Sequence, residues 1–127
     1  MRQNLIAMLA ALVLASAVNA DNKSEDVPSA VGKKIEDFKL QDFRGRKYSL
    51  DDFDDSKFLV VAFLGTECPI VQLYSSRLVE MQAKYADDGV AFVGINANRQ
   101  DNITEIAHHA RTHKIDFPIL KDLNQTV

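Results

Sequence analysis

Phe58 to Leu64 (FLVVAFL) is a run of seven apolar residues that stops at Gly65-Thr66-Glu67-Cys68-Pro69. An unbroken apolar run of this length, rich in β-branched and aromatic residues, is expected to form a strand covered on both faces, here by helices. Gly65 breaks the run. Pro69 suits the first turn of a helix, because the N–H it lacks is one that a helix start leaves unpaired. From there Ile70, Tyr74, Leu78, Met81 and Tyr85 recur at spacings of three and four, which predicts one apolar helix face. Asp87-Asp88-Gly89 ends the helix, with Gly89 in the position that favours a left-handed residue.

The alternation then repeats. Val90–Ile95 (VAFVGI) is a second apolar strand, followed by a polar loop over 96–100. Asn102 and Glu105 have the spacing of a capping box, and Ile106, Ala107 and Ala110 give the next helix a narrow apolar face. Phe117–Leu120 is a short third strand that Pro118 assigns to a sheet edge. Upstream, over 35–53, Phe38 and Leu40 alternate with charged residues, as do Tyr48 and Leu50, and Gly45 lies between the two runs, so a β-hairpin is expected. Hairpin, β, α, β, α, β describes an α/β chain with a parallel sheet and right-handed crossovers. In such sheets chemistry gathers at the carboxyl ends of the strands. Cys68 stands there after the first strand; Asn96, Asn98 and Arg99 stand there after the second.

Residues 1–20 have the pattern of a secretory leader. Arg2 supplies the positive start, Leu5–Val18 is apolar apart from one serine, and Val18 and Ala20 are small residues placed for cleavage before Asp21. The apolar run is short for a membrane span, so no stable span is expected once the leader is removed. Residues 21–34, polar and carrying Pro28, read as a linker, and 35–127 as one domain. The expected location is the periplasm or the extracellular space. A net charge of −3 argues against nucleic acid as a partner.

Export favours disulfides, yet the chain holds one cysteine and cannot form an intrachain bridge. An odd cysteine in this setting points to a reactive thiol or an intermolecular bridge. The N–H groups of a helix start favour a thiolate at Cys68, while the adjacent carboxylate of Glu67 opposes it. An arginine in the neighbouring loop, Arg99, would favour the thiolate if it reached the turn; a solvated loop position is the simpler reading. His109 and His113 are spaced to share a helix face, but two imidazoles without a carboxylate make a poor metal site, and a polar helix face accounts for them. No haem-attachment motif, phosphate loop or G-x-S-x-G is present, so no cofactor and no metal are expected.

Four segments together resemble the redoxin branch of the thioredoxin superfamily, which includes the alkyl hydroperoxide reductase and thiol-specific antioxidant family. They are Phe38-Lys39-Leu40 with Gly45 and Ser49-Leu50-Asp51-Asp52-Phe53, then 60–69 (VVAFLGTECP), then 89–95 (GVAFVGI), and finally 117–122 (FPILKD). The resemblance implies a thioredoxin-like fold with Cys68 as the catalytic thiol and Thr66 and Pro69 as supporting residues of its turn. It implies reduction of a peroxide or a protein disulfide, with an external thiol as reductant. Two departures stand out. Val71 replaces the second thiol of the family's Cys-x-x-Cys, and Gly65 occupies the position, three before the cysteine, where peroxidase members carry threonine or serine. A single-thiol oxidoreductase is the reading that survives, and a non-catalytic thioredoxin-like binding module is the alternative. The family's later elements, a closing hairpin and a final helix with a cis-proline loop, have no counterpart before Val127. The chain is therefore expected to be a C-terminally truncated redoxin whose 58–64 strand has one open edge.

Overall fold

The computed structural model describes residues 30–127; the expected leader and most of the expected linker lie outside that range. Among the described residues, 30–33 form a turn closed by the Lys33 N–H on the Ala30 carbonyl. Lys34–Val127 is a separate compact unit, described by itself below.

Its elements follow the expected order. β1 (Leu40–Asp42) and β2 (Lys47–Tyr48) form the hairpin, pairing Leu40 with Tyr48. Its turn is built by Asp42, whose Oδ1 accepts the N–H groups of Arg44 and Arg46, and by Gly45 at φ +88°. A residue with a Cβ adopts that left-handed conformation at a cost. Ser49–Phe53, expected to continue the hairpin, instead winds into a 3-10 turn at Leu50–Phe53, because the Asp52 carboxylate accepts both the N–H and the hydroxyl of Ser49. β3 (Phe58–Phe63), α1 (Pro69–Tyr85), β4 (Val90–Asn96), α2 (Ile103–Thr112) and β5 (Ile119–Lys121) follow. α1 ends earlier than expected, at Tyr85 with Ala86 as its cap, and Gly89, at φ +82°, instead closes the turn that follows, its N–H on the Ala86 carbonyl at 3.0 Å. The Asn102/Glu105 capping box opens α2 with both reciprocal bonds made, at 3.0 and 2.8 Å.

The sheet runs β2-β1-β5-β4-β3. β3, β4 and β5 are parallel, and β1 joins antiparallel to β5. This order corrects two expectations. β5 is interior, and Pro118 marks no edge: it precedes the first ladder residue, so its missing N–H is not needed, and its carbonyl accepts the Gly94 N–H at 2.8 Å. Helices also do not cover both faces. Each crossover steps the same way across the sheet, and two right-handed crossovers in one direction place both helices on one side.

That side holds the larger core. Leu64, Phe92, Phe117 and Ile119 meet Ile106 and Ala110 of α2, with Val71, Leu78 and Val79 of α1 packed against them. The opposite face is covered by the N-terminal part of the domain: Val93 and Leu120 pack under Phe38, with Leu40, Tyr48, Leu50 and Phe53 around them. The face that α1 turns inward is accordingly only partly the expected one, with Leu78 shared by both. Ile70, Tyr74 and Met81 are exposed, while Val71, Ser75, Leu78 and Val79 face the core. α1 carries two apolar stripes, and periodicity cannot choose between them. On its outer side β3 has no partner strand among the described residues, and Phe58 and Phe63 at its two ends are exposed.

Leu120 is 0% exposed at the centre of the second core. Leu120→Ala is expected to cost about 2–5 kcal/mol, read as a lower midpoint with unchanged slope in urea unfolding.

Candidate functional site

Cys68 stands where β3 turns into α1. The turn closes through the Cys68 N–H on the Gly65 carbonyl at 3.2 Å, and α1 starts with the Gln72 N–H on the Cys68 carbonyl at 3.0 Å. Cys68 is the N-cap residue of α1, Pro69 is its first helical residue, and the cysteine is partly exposed. The thiol therefore lies at the carboxyl edge of the sheet and next to the helix start, where an anion is favoured by the free N–H groups.

A shallow pocket of about 340 Å³ opens beside the cysteine. Phe63, Leu64, Val71, Ile95 and Ala97 form its apolar walls, and Asn98 lines it from the loop after β4. Val71, in the position of the absent second thiol, is thus part of this wall. Gly65 is the close neighbour: a Cβ built on it would stand 2.4 Å from Asn98 Nδ2 and 3.8 Å from the Cys68 Cβ.

Beneath the turn lies a buried polar network that the sequence reading did not anticipate. Asp101, 1% exposed, accepts the Thr66 N–H at 2.8 Å, Asn96 Nδ2 at 2.6 Å and Asn98 Nδ2 at 3.4 Å, all on one oxygen. Asn96 Nδ2 also donates to the Leu64 carbonyl at 2.8 Å. From β5, Lys121 Nζ reaches Asn96 Oδ1 at 2.8 Å and the Asn98 carbonyl. Burial works to raise the Asp101 carboxyl, but the bonds from the Thr66 backbone, Asn96 and Asn98 outweigh it and hold the group below the usual carboxylate range. The only advance signal was an aspartate directly before a capping box at the carboxyl end of a strand.

Of the residues singled out from the sequence, Thr66 is anchored through its backbone: its N–H goes to Asp101, and its carbonyl accepts Gln72 Nε2 at 3.1 Å. The residue lines a different cleft, of about 540 Å³, between the Cys68 turn and α2, with Glu67, Glu105, His108 and Arg111. Arg99 is exposed, does not line the Cys68 pocket, and makes no hydrogen bond or ion pair among the described residues.

His109 departs from the expected polar helix face. It is buried at the α1–α2 contact, 3.2 Å from Ser75 Oγ. Ser75 spends its hydrogen on the Val71 carbonyl at 2.7 Å, so it accepts from His109 Nε2, which fixes that nitrogen as protonated. Burial and then the neighbouring His113 push the ring below the ordinary histidine value; Asp101 pulls the other way, and His108 adds slightly to the lowering. No group of three or more potential metal ligands occurs among the described residues.

Residues 31–127 match the family model described as AhpC/TSA family. The chain belongs to that family. Its fold is that of thioredoxin-like proteins, and thiol–disulfide oxidoreductases are among its relatives. It is similar to a thiol-disulfide oxidoreductase, ResA, of Bacillus cereus, at 25% identity over 99 residues, covering 78% of this chain and 56% of that protein. Among solved structures it is similar to a hypothetical protein of Sinorhizobium meliloti 1021, with 34% identity and a TM-score of 0.69 over 72% of this chain and 53% of that one. A peroxidoxin of Mycobacterium tuberculosis shares the fold at a TM-score of 0.66 and 24% identity, covering 75% of this chain and 60% of that one. The redoxin chain thus spans about half the length of the curated relatives it matches. No helix among its described residues is long and apolar enough to cross a membrane.

Two outcomes follow from the buried polar groups. Asp101→Ala strands the Thr66 N–H and the Asn96 amide and is expected to cost about 2–3 kcal/mol, with faster amide exchange at 65–68 than in α2. His109 favours its neutral form in the folded state, so its contribution is complete above its ordinary value of 6.5 and declines as the pH falls below it. The melting temperature of the wild type should fall between pH 7.5 and 5.5 more steeply than that of His109→Gln.

Proposed function

We propose that this chain performs single-thiol redox chemistry at Cys68, with a protein disulfide as first substrate and a peroxide as second. The observation that carries the reading is the placement of Cys68: partly exposed, capping α1, and opening on a pocket with apolar walls. The name of the Bacillus relative, a thiol-disulfide oxidoreductase, favours the disulfide. An apolar pocket suits the side chains that flank a disulfide better than it suits a small hydrophilic peroxide.

In the exchange, the Cys68 thiolate attacks one sulfur of the substrate. The substrate S–S bond breaks, a mixed disulfide forms, and the departing thiolate takes a proton from water. With Val71 in the place of a resolving thiol, a second, external thiol must attack the mixed disulfide, leaving Cys68 reduced and the reductant bonded to the former substrate sulfur. With a peroxide, the thiolate attacks one oxygen, the O–O bond breaks, and the departing alkoxide or hydroxide takes a proton from water; the sulfenic acid left on Cys68 is reduced by external thiols in two steps to the thiol, releasing water and a disulfide. The leader-like residues 1–20 support action outside the cytoplasm, in the periplasm or beyond.

Cys68→Ser is expected to abolish both mixed-disulfide trapping with a model protein disulfide and labelling by a dimedone-type probe after mild peroxide. Trapping without probe labelling would restrict the substrate to disulfides. Neither reaction in the folded wild type, under conditions where a control thioredoxin and a control peroxidase react, would refute the reading in favour of a non-catalytic thioredoxin-like module.

A further inference from the structure

We propose that Asn98 is the hydrogen-bond donor of the Cys68 pocket. Its carboxamide fills the space that a side chain at position 65 would take and presents an N–H toward the thiolate. The inference rests on the redox reading of Cys68 above.

Three observations converge on this residue. First, apart from the thiol, Asn98 is the one side chain lining the pocket that can hydrogen-bond; the other walls are apolar or glycine. Second, the amide borders the cysteine. The point where a Gly65 Cβ would sit is 2.4 Å from Asn98 Nδ2 and 3.8 Å from the Cys68 Cβ, so amide and cysteine border one gap, and Gly65 keeps it open. Third, the amide is oriented and only half used. Asp101 accepts from Asn98 Nδ2 at 3.4 Å, which turns the nitrogen inward rather than the oxygen, and Nδ2 carries two hydrogens. Lys121 holds the Asn98 backbone through its carbonyl, so the side chain projects from a fixed base.

A thiolate among apolar walls loses hydration, and a donor placed there in advance compensates without reorganisation. When Cys68 gives its proton to water, the second Asn98 N–H is free to bond the sulfur anion; no electrons move in this step. The neighbouring carboxylates, Glu67 in the turn and Asp101 behind it, both oppose a thiolate, which makes a neutral donor the more effective partner. Gly65 and Asn98 are then one device: a larger residue at 65 would expel the amide.

The test is the rate of iodoacetamide alkylation of Cys68 against pH on the full chain, with thermal melts to confirm folding. Asn98→Ala should slow the reaction at pH 7 about tenfold or more and move the midpoint of the profile upward. Asn98→Leu, which keeps the approximate shape, should do the same. Adding Gly65→Ser to Asn98→Ala restores a hydrogen-bonding group in the same gap and should recover part of the rate, whereas adding Gly65→Ala restores only volume and should not. A wild-type profile in Asn98→Leu, or equal rescue by both second changes, would overturn the role of Asn98 while leaving the redox reading intact. A wild-type Cys68 that alkylates no faster at pH 7 than a cysteine in an unfolded peptide would overturn both.

Discussion

The Asp101 carboxylate anchors the carboxyl edge of this sheet, and the position of Cys68 depends on that anchor. One oxygen receives an N–H from the turn after β3, one from the end of β4 and one from the loop that follows. Such a group is costly to bury unpaired, and bonds to a charged acceptor are worth roughly twice those between neutral groups. The network is completed from β5, where Lys121 spans Asn96 and the Asn98 carbonyl. Three parallel strands thus end on one connected set of polar atoms. The cysteine turn sits on top of that set rather than on a free loop, and a site held in this way loses little freedom when it meets a substrate.

Buried aspartates serve the same purpose elsewhere in the domain. Asp42 gathers the N–H groups of Arg44 and Arg46 in the hairpin turn, and Asp122 gathers the Val127 N–H and the Thr126 hydroxyl after β5. Each carboxylate replaces backbone partners that an irregular segment cannot supply for itself. In a small α/β domain with short strands, much of the irregular chain is ordered by these acids, while the apolar cores order the rest.

The sheet is asymmetric in a way that shapes the site. Both crossover helices lie on one face, so the other is closed by Phe38, Tyr48, Leu50 and Phe53 from the start of the domain. β3, the strand that delivers the cysteine, is outermost among the described strands. The Cys68 pocket opens next to that outer strand, near exposed Phe63 and Ile70. The thiol is thus partly exposed and borders apolar surface rather than lying sealed in a cavity.

The sequence by itself determined the order of elements, the helix start at Pro69, the capping box at Asn102, the left-handed glycines at 45 and 89, and the position of Cys68 at the end of a strand. These depend on residues within a few positions of one another, and periodicity, caps and turns are local chemistry. Family membership was legible for the same reason, since its segments are themselves strands and turns. Tertiary structure alone decided which stripe of α1 faces inward, because Ile70–Tyr74 and Val71–Ser75–Leu78 are both acceptable locally and only the fit to β4 and α2 separates them. It also placed Pro118 before an interior strand and buried His109 against Ser75. Above all, it chose the partners of the cysteine turn. Thr66 and Asp101 are 35 residues apart in the chain, and nothing in either neighbourhood names the other. Their bond exists because parallel strands β3 and β4 end side by side, and that is a property of the folded sheet.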